Sequence, residues 1–425
     1  MVKSKLLFQT QGSIVQTFLE KAKKASHIIA TLEPKVKTTL LLAMAHTLQI
    51  NAKRIMLANQ KDLNEAHDNQ LSSALIDRLL LNEARIEAMA QAIREIAALK
   101  EPVGRVLDGW VVPSGLRIEK VTIPIGVVAI IYESRPNVTS DTAALCFKSG
   151  NVCVLKGGKE AFYSNAIIAS ILQEVLEQHH LPKEIISLLP DASREGVAKL
   201  IKMDKYVDVI IPRGGDALIR FVSEHSTIPV VKHDKGVCHI YVDRDADIVK
   251  ACDIIINAKC QRPSACNAME TLLVHESLSQ TFLPRIKALL DDTGALIKGC
   301  ALTCKHVNVA LASEEDFHTE HLSNALNIKV VSDMDEAILH IATYGSSHSE
   351  AILSENYTQA ERFLNEVDAA CVYVNASTRF TDGGEFGFGA EVGISTNKLH
   401  ARGPMGINDL TTYKFKIYGK GQIRA

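Results

Sequence analysis

The chain has 425 residues, 47% hydrophobic and 23% charged, with a formal net charge of -2. That balance belongs to a soluble globular protein, and the length calls for two domains. It leaves no basic field for nucleic acid and no polybasic patch for a membrane surface. No apolar run approaches the eighteen or so residues that span a bilayer. Residues 1–20 contain Gln9, Gln11 and Gln16 and no continuous apolar core, so they do not read as a signal peptide. The nine cysteines are an odd number, without CxxC spacing or a completing His cluster. They read as free thiols in a reducing cytoplasm, and no metal site is expected.

Residues 12–105 read as helical. Val15, Phe18, Leu19 and Ala22 recur at helical spacing, as do Leu40, Leu41, Met44 and Leu48, then Ile86, Met89, Ile93 and Ile96. The Asn82–Glu83 step is a candidate cap. Residues 106–125 change character: Val106, Trp110, Val111 and Val112, then Leu116, Ile118 and Val121, alternate around Pro113-Ser114-Gly115. This is a hairpin signature, readable as a protruding arm or as an ordinary edge hairpin.

From 125 the pattern becomes strand–helix–strand. Strands are expected at Ile125–Tyr132, Val152–Leu155, Ile185–Leu189 and Val207–Pro212, with helices at Thr142–Lys148, Ser164–His179 and Ser193–Ile201. Short strands alternating with helices predict an α/β fold with a doubly wound parallel sheet, whose ligands bind outside the carboxyl ends of the strands. Those ends are Glu133–Asn137, Lys156-Gly157-Gly158 and Arg213-Gly214-Gly215. Neither glycine pair is a GxGxxG or Walker A loop, and a lone Gly-Gly usually serves only a turn. Two such pairs at equivalent strand ends, each beside a cation, point to an anionic ligand such as a dinucleotide.

The stretch 257–268 follows Ile254-Ile255-Ile256 and carries Cys266 near Lys259, Arg262, Pro263 and Asn267. A thiol beside fixed positive charge carries more thiolate, the form that attacks acyl carbon. A buried structural cysteine is the competing reading. Beyond it, strands are expected at Thr271–Val274, Val307–Ala310, Ile328–Val331 and Ala370–Val374, and Ser349–Leu353 reads as a turn into a strand. Helices are expected at Leu278–Leu289, Asp335–Ala342 and Tyr357–Leu364. Asn408–Tyr418 reads as a strand that pairs with the earlier hairpin or with a partner subunit.

Four stretches carry a resemblance: Tyr132–Thr139, Gln261–Thr271, Asp335–Ile352 with its Tyr344-Gly345-Ser346-Ser347-His348 segment, and Lys398–Gly406. With the glycine pairs, they resemble the aldehyde dehydrogenase superfamily, and within it the γ-glutamyl phosphate reductases of proline biosynthesis. The resemblance implies an aldehyde-dehydrogenase-like fold. It implies an NADP-binding domain over 1–105 and 126–255, a catalytic domain over 256–400, and an oligomerisation element from 106–125 and 401–425. It further implies NADPH-dependent reduction of L-glutamyl 5-phosphate to glutamate 5-semialdehyde, with Cys266 as nucleophile.

Asn137 would be the side-chain donor to the oxyanion, although counting without a gap from Lys156 lands on Glu133. Lys156, Gly157, Gly158, Arg213, Gly214 and Gly215 would serve the cofactor. Arg135, Arg262 and Arg402 are candidates for the substrate's phosphate and carboxylate, with two of the three expected to act. Where hydrolytic members carry a water-activating glutamate, this chain has Lys232-His233-Asp234-Lys235-Gly236, which suits a phosphate-using enzyme. His233 would contact substrate or serve only as a polar loop residue. Cys260 stands where threonine is expected and reads as packing. A homo-oligomer in the cytoplasm is expected, with glutamate 5-kinase a candidate partner. A coenzyme A-dependent acylating member and a non-catalytic nucleotide-binding chain are the alternatives.

Overall fold

The computed structural model describes residues 2–191, 193–232 and 235–424, with side chains from Ile14 onward except Ala74. The chain forms two compact units, Met1–Lys232 with Gly387–Gly393 and Met405–Ala425, and His233–Phe386 with Ile394–Pro404. The change falls at 232/233 rather than at the expected 255/256, because Cys238–Val242 pairs in the sheet of the second unit.

The first unit begins with helices α1 (Val2–Ile29), α2 (Pro34–Ile50), α3 (Ala52–Asp68), α4 (Ser73–Leu79) and α5 (Glu83–Ala98). The Asn82 side chain accepts from the Arg85 N–H at 2.9 Å, so the expected cap starts α5. Leu40, Leu41, Met44 and Leu48 form the buried stripe of α2. The hairpin strands β1 (Val106–Val111) and β2 (Arg117–Pro124) turn at Gly115, whose φ of +81° suits glycine. Thr411–Tyr418 adds antiparallel to β2, so the tail pairs with the hairpin of its own chain. Trp110, Val111, Phe415 and Ile417 of this three-stranded sheet are exposed.

The parallel sheet of this unit has the order β5-β4-β3-β6, with β3 (Val127–Tyr132), β4 (Val152–Lys156), β5 (Ile186–Leu188) and β6 (Val209–Arg213). Every residue of β3 and β4 is buried, as expected where helices cover both faces of a parallel sheet. The crossover helix α6 spans Asn137–Lys148 and starts five residues before its expected start at Thr142. Its first turn, Asn137-Val138-Thr139-Ser140, has Val138 as its one apolar residue and so shows no apolar period. Helices α7 (Phe162–Gln178), α8 (Arg194–Leu200) and α9 (Asp216–His225) follow.

The second unit holds a seven-stranded parallel sheet of order β10-β9-β11-β8-β7-β12-β13. Its strands are β7 (Cys238–Val242), β8 (Met269–His275), β9 (Leu296–Gly299), β10 (Ala310–Leu311), β11 (Ala325–Val331), β12 (Ser349–Leu353) and β13 (Cys371–Val374). The strand expected at Val307–Ala310 reduces to Ala310–Leu311, because Ala301–His306 is helical and its C-cap is Val307. Helix α10 (Ile248–Cys260) is capped by Asp247, which accepts from the Val249 and Lys250 amides. Ile240, Ile255, Leu272, Phe282 and Ile328 lie in one buried cluster against β8.

Candidate active site

In the first unit the expected residues gather at the carboxyl ends of β3, β4 and β6. Lys156 ends β4 and is only 8% exposed; its ammonium makes no hydrogen bond among the described residues. Burial lowers its pKa, while the charges of Glu160, Glu133 and Asp191 act the other way. An added Cβ on Gly157 would stand 2.1 Å from the Asn165 amide nitrogen, so glycine is needed for close packing there.

The second pair, Gly214-Gly215, leads into α9. The Gly215 N–H donates to the Glu133 carboxylate at 2.9 Å, and a Cβ on Gly214 would meet that carboxylate at 2.5 Å. Glu160 likewise accepts from the Ser134 N–H at 2.7 Å and the Ser134 hydroxyl at 2.8 Å. Glu133 thus occupies a glycine-pair amide that the pattern suggests for a phosphate, and Glu160 occupies the Ser134 donors at the end of β3. The unspent cations are Lys156 and Arg213, whose guanidinium makes no hydrogen bond among the described residues; a Cβ on Gly393 would stand 2.5 Å from its Nη1. A buried ammonium, an open guanidinium and glycine-bearing strand ends fit a dinucleotide better than a neutral ligand.

Asn137 is exposed at the first position of α6, and its amide donates to Asp141 at 2.9 Å. Ser140 donates to the same carboxyl at 3.2 Å. Burial raises the Asp141 pKa to about 6, against the Asn137 and Ser140 hydrogen bonds and the charge of Arg213. Arg135 is exposed two residues earlier.

In the second unit, Cys266 lies between α10 and β8. Turns closed by Ala265 N–H to Arg262 O and Ala268 N–H to Ala265 O present it partly exposed. Its main chain is held from beneath. A Cβ on Gly236 would stand 1.9 Å from the Cys266 carbonyl oxygen, so this approach admits only glycine. The buried Cys238 thiol donates to the same carbonyl at 3.3 Å. Cys238 also lies 3.8 Å from His348 Nδ1, which contacts the Ser349 hydroxyl at 2.8 Å; that hydroxyl meets Thr381 at 2.6 Å. The distinctive Ser346–Glu350 stretch therefore buttresses the cysteine loop.

The cations near Cys266 differ from the expected set. Lys259 is fully buried and pairs at 2.7 Å with Glu270, also fully buried, so its charge is committed to the base of the loop. Desolvation nevertheless raises Glu270 to about 7, with Lys259 opposing. Arg262 is exposed, and its side chain makes no hydrogen bond or ion pair among the described residues. Arg402 pairs with Asp368 at 2.8 Å, a carboxylate that Lys398 also holds. His233 and Asp234 lie outside the described residues. The expectation for Cys260 as packing is met by its sulfur against Thr293 at 3.4 Å and Asn324 at 3.5 Å.

Sequence reasoning passed over Arg379. Its guanidinium donates to Gln261 Oε1 at 2.9 Å and to Asn267 Oδ1, gripping the cysteine loop from both sides of Cys266. Asn267 in turn donates to the carbonyls of Thr381 at 2.8 Å and Arg379 at 3.3 Å. Burial and the charge of Arg262 lower the Arg379 pKa, while Cys266 and Asp382 act to raise it. The one available signal was chemical, a cation flanked by hydroxyls in Ser377-Thr378-Arg379.

Residues 9–295 match the profile of the aldehyde dehydrogenase family, more than half of the chain. The chain belongs to the aldehyde dehydrogenase family. The γ-glutamyl phosphate reductase of Aliarcobacter butzleri is 64% identical over 410 residues, 96% of this chain and all of that one. That of Nitratiruptor sp. is 64% identical over 411 residues, with the same shares covered. The crystal structure of γ-glutamyl phosphate reductase from Thermotoga maritima superposes with a TM-score of 0.95 at 45% identity, covering 97% of this chain and 100% of that one. An acetylating aldehyde dehydrogenase from Geobacillus thermoglucosidasius gives a TM-score of 0.70 at 21% identity, covering 98% and 99%, a likeness of fold. The resemblance and the α/β fold expected from the sequence are both borne out, and the chain is an enzyme of the aldehyde dehydrogenase fold.

Proposed function

We propose that the chain reduces L-glutamyl 5-phosphate to L-glutamate 5-semialdehyde and phosphate, the second step of proline biosynthesis from glutamate, in the cytoplasm. The observation that carries this reading is Cys266, a partly exposed thiol on a loop held by Gly236, Cys238 and Asn267, in a chain that aligns end to end with γ-glutamyl phosphate reductases. The Cys266 thiolate attacks the acyl carbon; a carbon–sulfur bond forms, the carbon–oxygen bond to phosphorus breaks, and phosphate leaves with the electron pair. The cofactor held by the first unit, NADPH, would supply the hydride that takes the thioester to the aldehyde level. Collapse of the resulting thiohemiacetal returns the thiolate and releases the aldehyde.

Asn137 is assigned as the side-chain donor to the oxyanion, with the Cys266 backbone N–H as the second. Asp141 orients its amide. Lys156, Gly157, Gly158, Arg213, Gly214 and Gly215 are assigned to the cofactor, with Lys156 suited to a 2′-phosphate. Arg262 is the substrate arginine whose charge is uncommitted. One of Arg135 and Arg402 is proposed as the second substrate arginine, and His233 as a substrate contact or a polar loop residue. The exposed apolar sheet of β1, β2 and Thr411–Tyr418 supports a homo-oligomer. Glutamate 5-kinase is the proposed source of the unstable acyl phosphate.

The test runs the reaction backwards: NADP+ reduction, followed by absorbance, with glutamate semialdehyde and with or without phosphate. Phosphate-dependent turnover that falls by about 10^4-fold or more in Cys266→Ala supports the reading. Turnover without phosphate identifies a hydrolytic dehydrogenase. No turnover until coenzyme A is added identifies the acylating alternative.

A further inference from the structure

Two guanidinium groups of the cysteine-loop region, Arg379 and the Arg262 whose charge acts on it, form no ion pair among the described residues. Arg379 is partly buried, and its Nε and Nη1 are directed by neutral amide oxygens, those of Gln261 and Asn267. Neither Arg379 nor Arg262 forms an ion pair among the described residues, and Nη2 of Arg379 makes no hydrogen bond there. The carboxylate whose charge reaches Arg379, Asp382, accepts from the amides of Gly384 at 2.8 Å and Glu385 at 3.4 Å and forms no ion pair with it. In the same unit Arg402 pairs with Asp368 and Arg362 with Asp335 and Glu366, while Arg244 and Arg285 are exposed; Arg379 differs from these last two in being partly buried. Holding two like charges together, one of them partly desolvated, is unfavourable unless an anion joins them.

We propose that Arg379, together with Arg262, forms the phosphate subsite beside Cys266, holding the group that leaves the acyl carbon or, in reverse, attacks the thioester. This rests on the functional reading above. The choice of phosphate over the substrate's carboxylate follows from position. Arg379 is bonded to Asn267, the residue after the nucleophile. The phosphate is attached to the carbon that the sulfur attacks, whereas the carboxylate sits at the far end of the substrate's carbon chain. A phosphate dianion also approaches a thiolate against Coulomb repulsion, which paired guanidinium groups offset. Their planar forks take phosphate oxygens two at a time. Gln261 and Asn267 act here as positioning residues that aim Arg379.

The experiment measures NADP+ reduction at varied inorganic phosphate and varied semialdehyde for the wild type, Arg379→Gln, Arg379→Lys and Arg262→Gln. Arg379→Gln is expected to raise KM for phosphate by about tenfold or more and to leave KM for semialdehyde within about twofold. Arg379→Lys should fall between, since it keeps the charge and loses the fork. A phosphate KM that stays unchanged in Arg379→Lys and Arg262→Gln overturns the proposal, and these two serve should Arg379→Gln fail to fold. A rise confined to the semialdehyde KM also overturns it and reassigns the pair to the carboxylate.

A second readout needs no turnover: inorganic phosphate should slow alkylation of Cys266 by iodoacetamide in the wild type and not in Arg379→Gln. Protection that survives in both proteins overturns the subsite. A wild type with phosphate protection but without phosphate-dependent turnover sinks the functional reading alone.

Discussion

The two parallel sheets carry their candidate residues at opposite ends of their strands. In the first unit the candidate residues follow β3, β4 and β6 at the carboxyl ends, beside helix starts. In the second unit Gly236, Cys266 and His348 precede β7, β8 and β12, at the amino ends. The carboxyl-end rule concerns helix N-termini that attract anions, and it reaches only the first sheet. At the amino ends a nucleophile must be held by its own main chain. The electrostatics divide the same way: the first edge spends its amides on Glu133 and Glu160, whereas at the second Arg262 and Arg379 form no ion pair among the described residues.

Breaking the second edge should cost most. Glu270→Ala strands the buried Lys259 ammonium, and a loss of about 3–5 kcal/mol is expected from urea unfolding. The pair Lys259→Met with Glu270→Leu should recover most of that, because apolar groups of similar volume remove the unpaired charge. Gly236→Ala comes next. Its Cβ meets main chain rather than a yielding side chain, so a loss of about 2–4 kcal/mol is expected, with turnover down about 100-fold as Cys266 shifts. A Gly236→Ala protein with native stability and activity would break the picture of a main-chain support.

The first edge should answer to pH. Burial raises Asp141 from 3.8 to about 6, so its protonated form favours the folded state. That contribution is fully present below the unfolded value and is lost as pH rises through about 6. Its size, discounted for partial exposure, is about 1–2 kcal/mol. Asp141→Asn should therefore unfold with a stability that changes less than wild type between about pH 4 and 7.

Much of this was legible because the residues leave little choice. Val127–Tyr132 is apolar at every position, as only a strand covered on both faces can be. The loop that presents Cys266 partly exposed was legible through its Pro263 and small residues. Lys259 misled, because proximity in sequence does not say which way a helix turns its last residues; this one faces Glu270. Strand β7 was missed because His239 and Tyr241 interrupt its apolar run. His239 is tolerated there because Glu350, equally buried, binds it at 3.0 Å. Arg379 was out of reach because it meets Asn267 across 112 residues, a contact set by the return of the chain after β13.

The strand Thr411–Tyr418 lies along the whole of Arg117–Pro124, with Thr411 opposite Pro124 and Tyr418 opposite Arg117. During synthesis, at about 5–20 residues per second, the first of these strands waits roughly 15–60 s for the second. For that interval an apolar edge with Ile118, Val121 and Ile123 stands open on the nascent chain, available to any other strand. The unit that leaves the ribosome first is therefore finished last. A chain interrupted anywhere before Thr411 carries that open edge permanently, which makes aggregation, more than lost catalysis, the expected fate of late truncations.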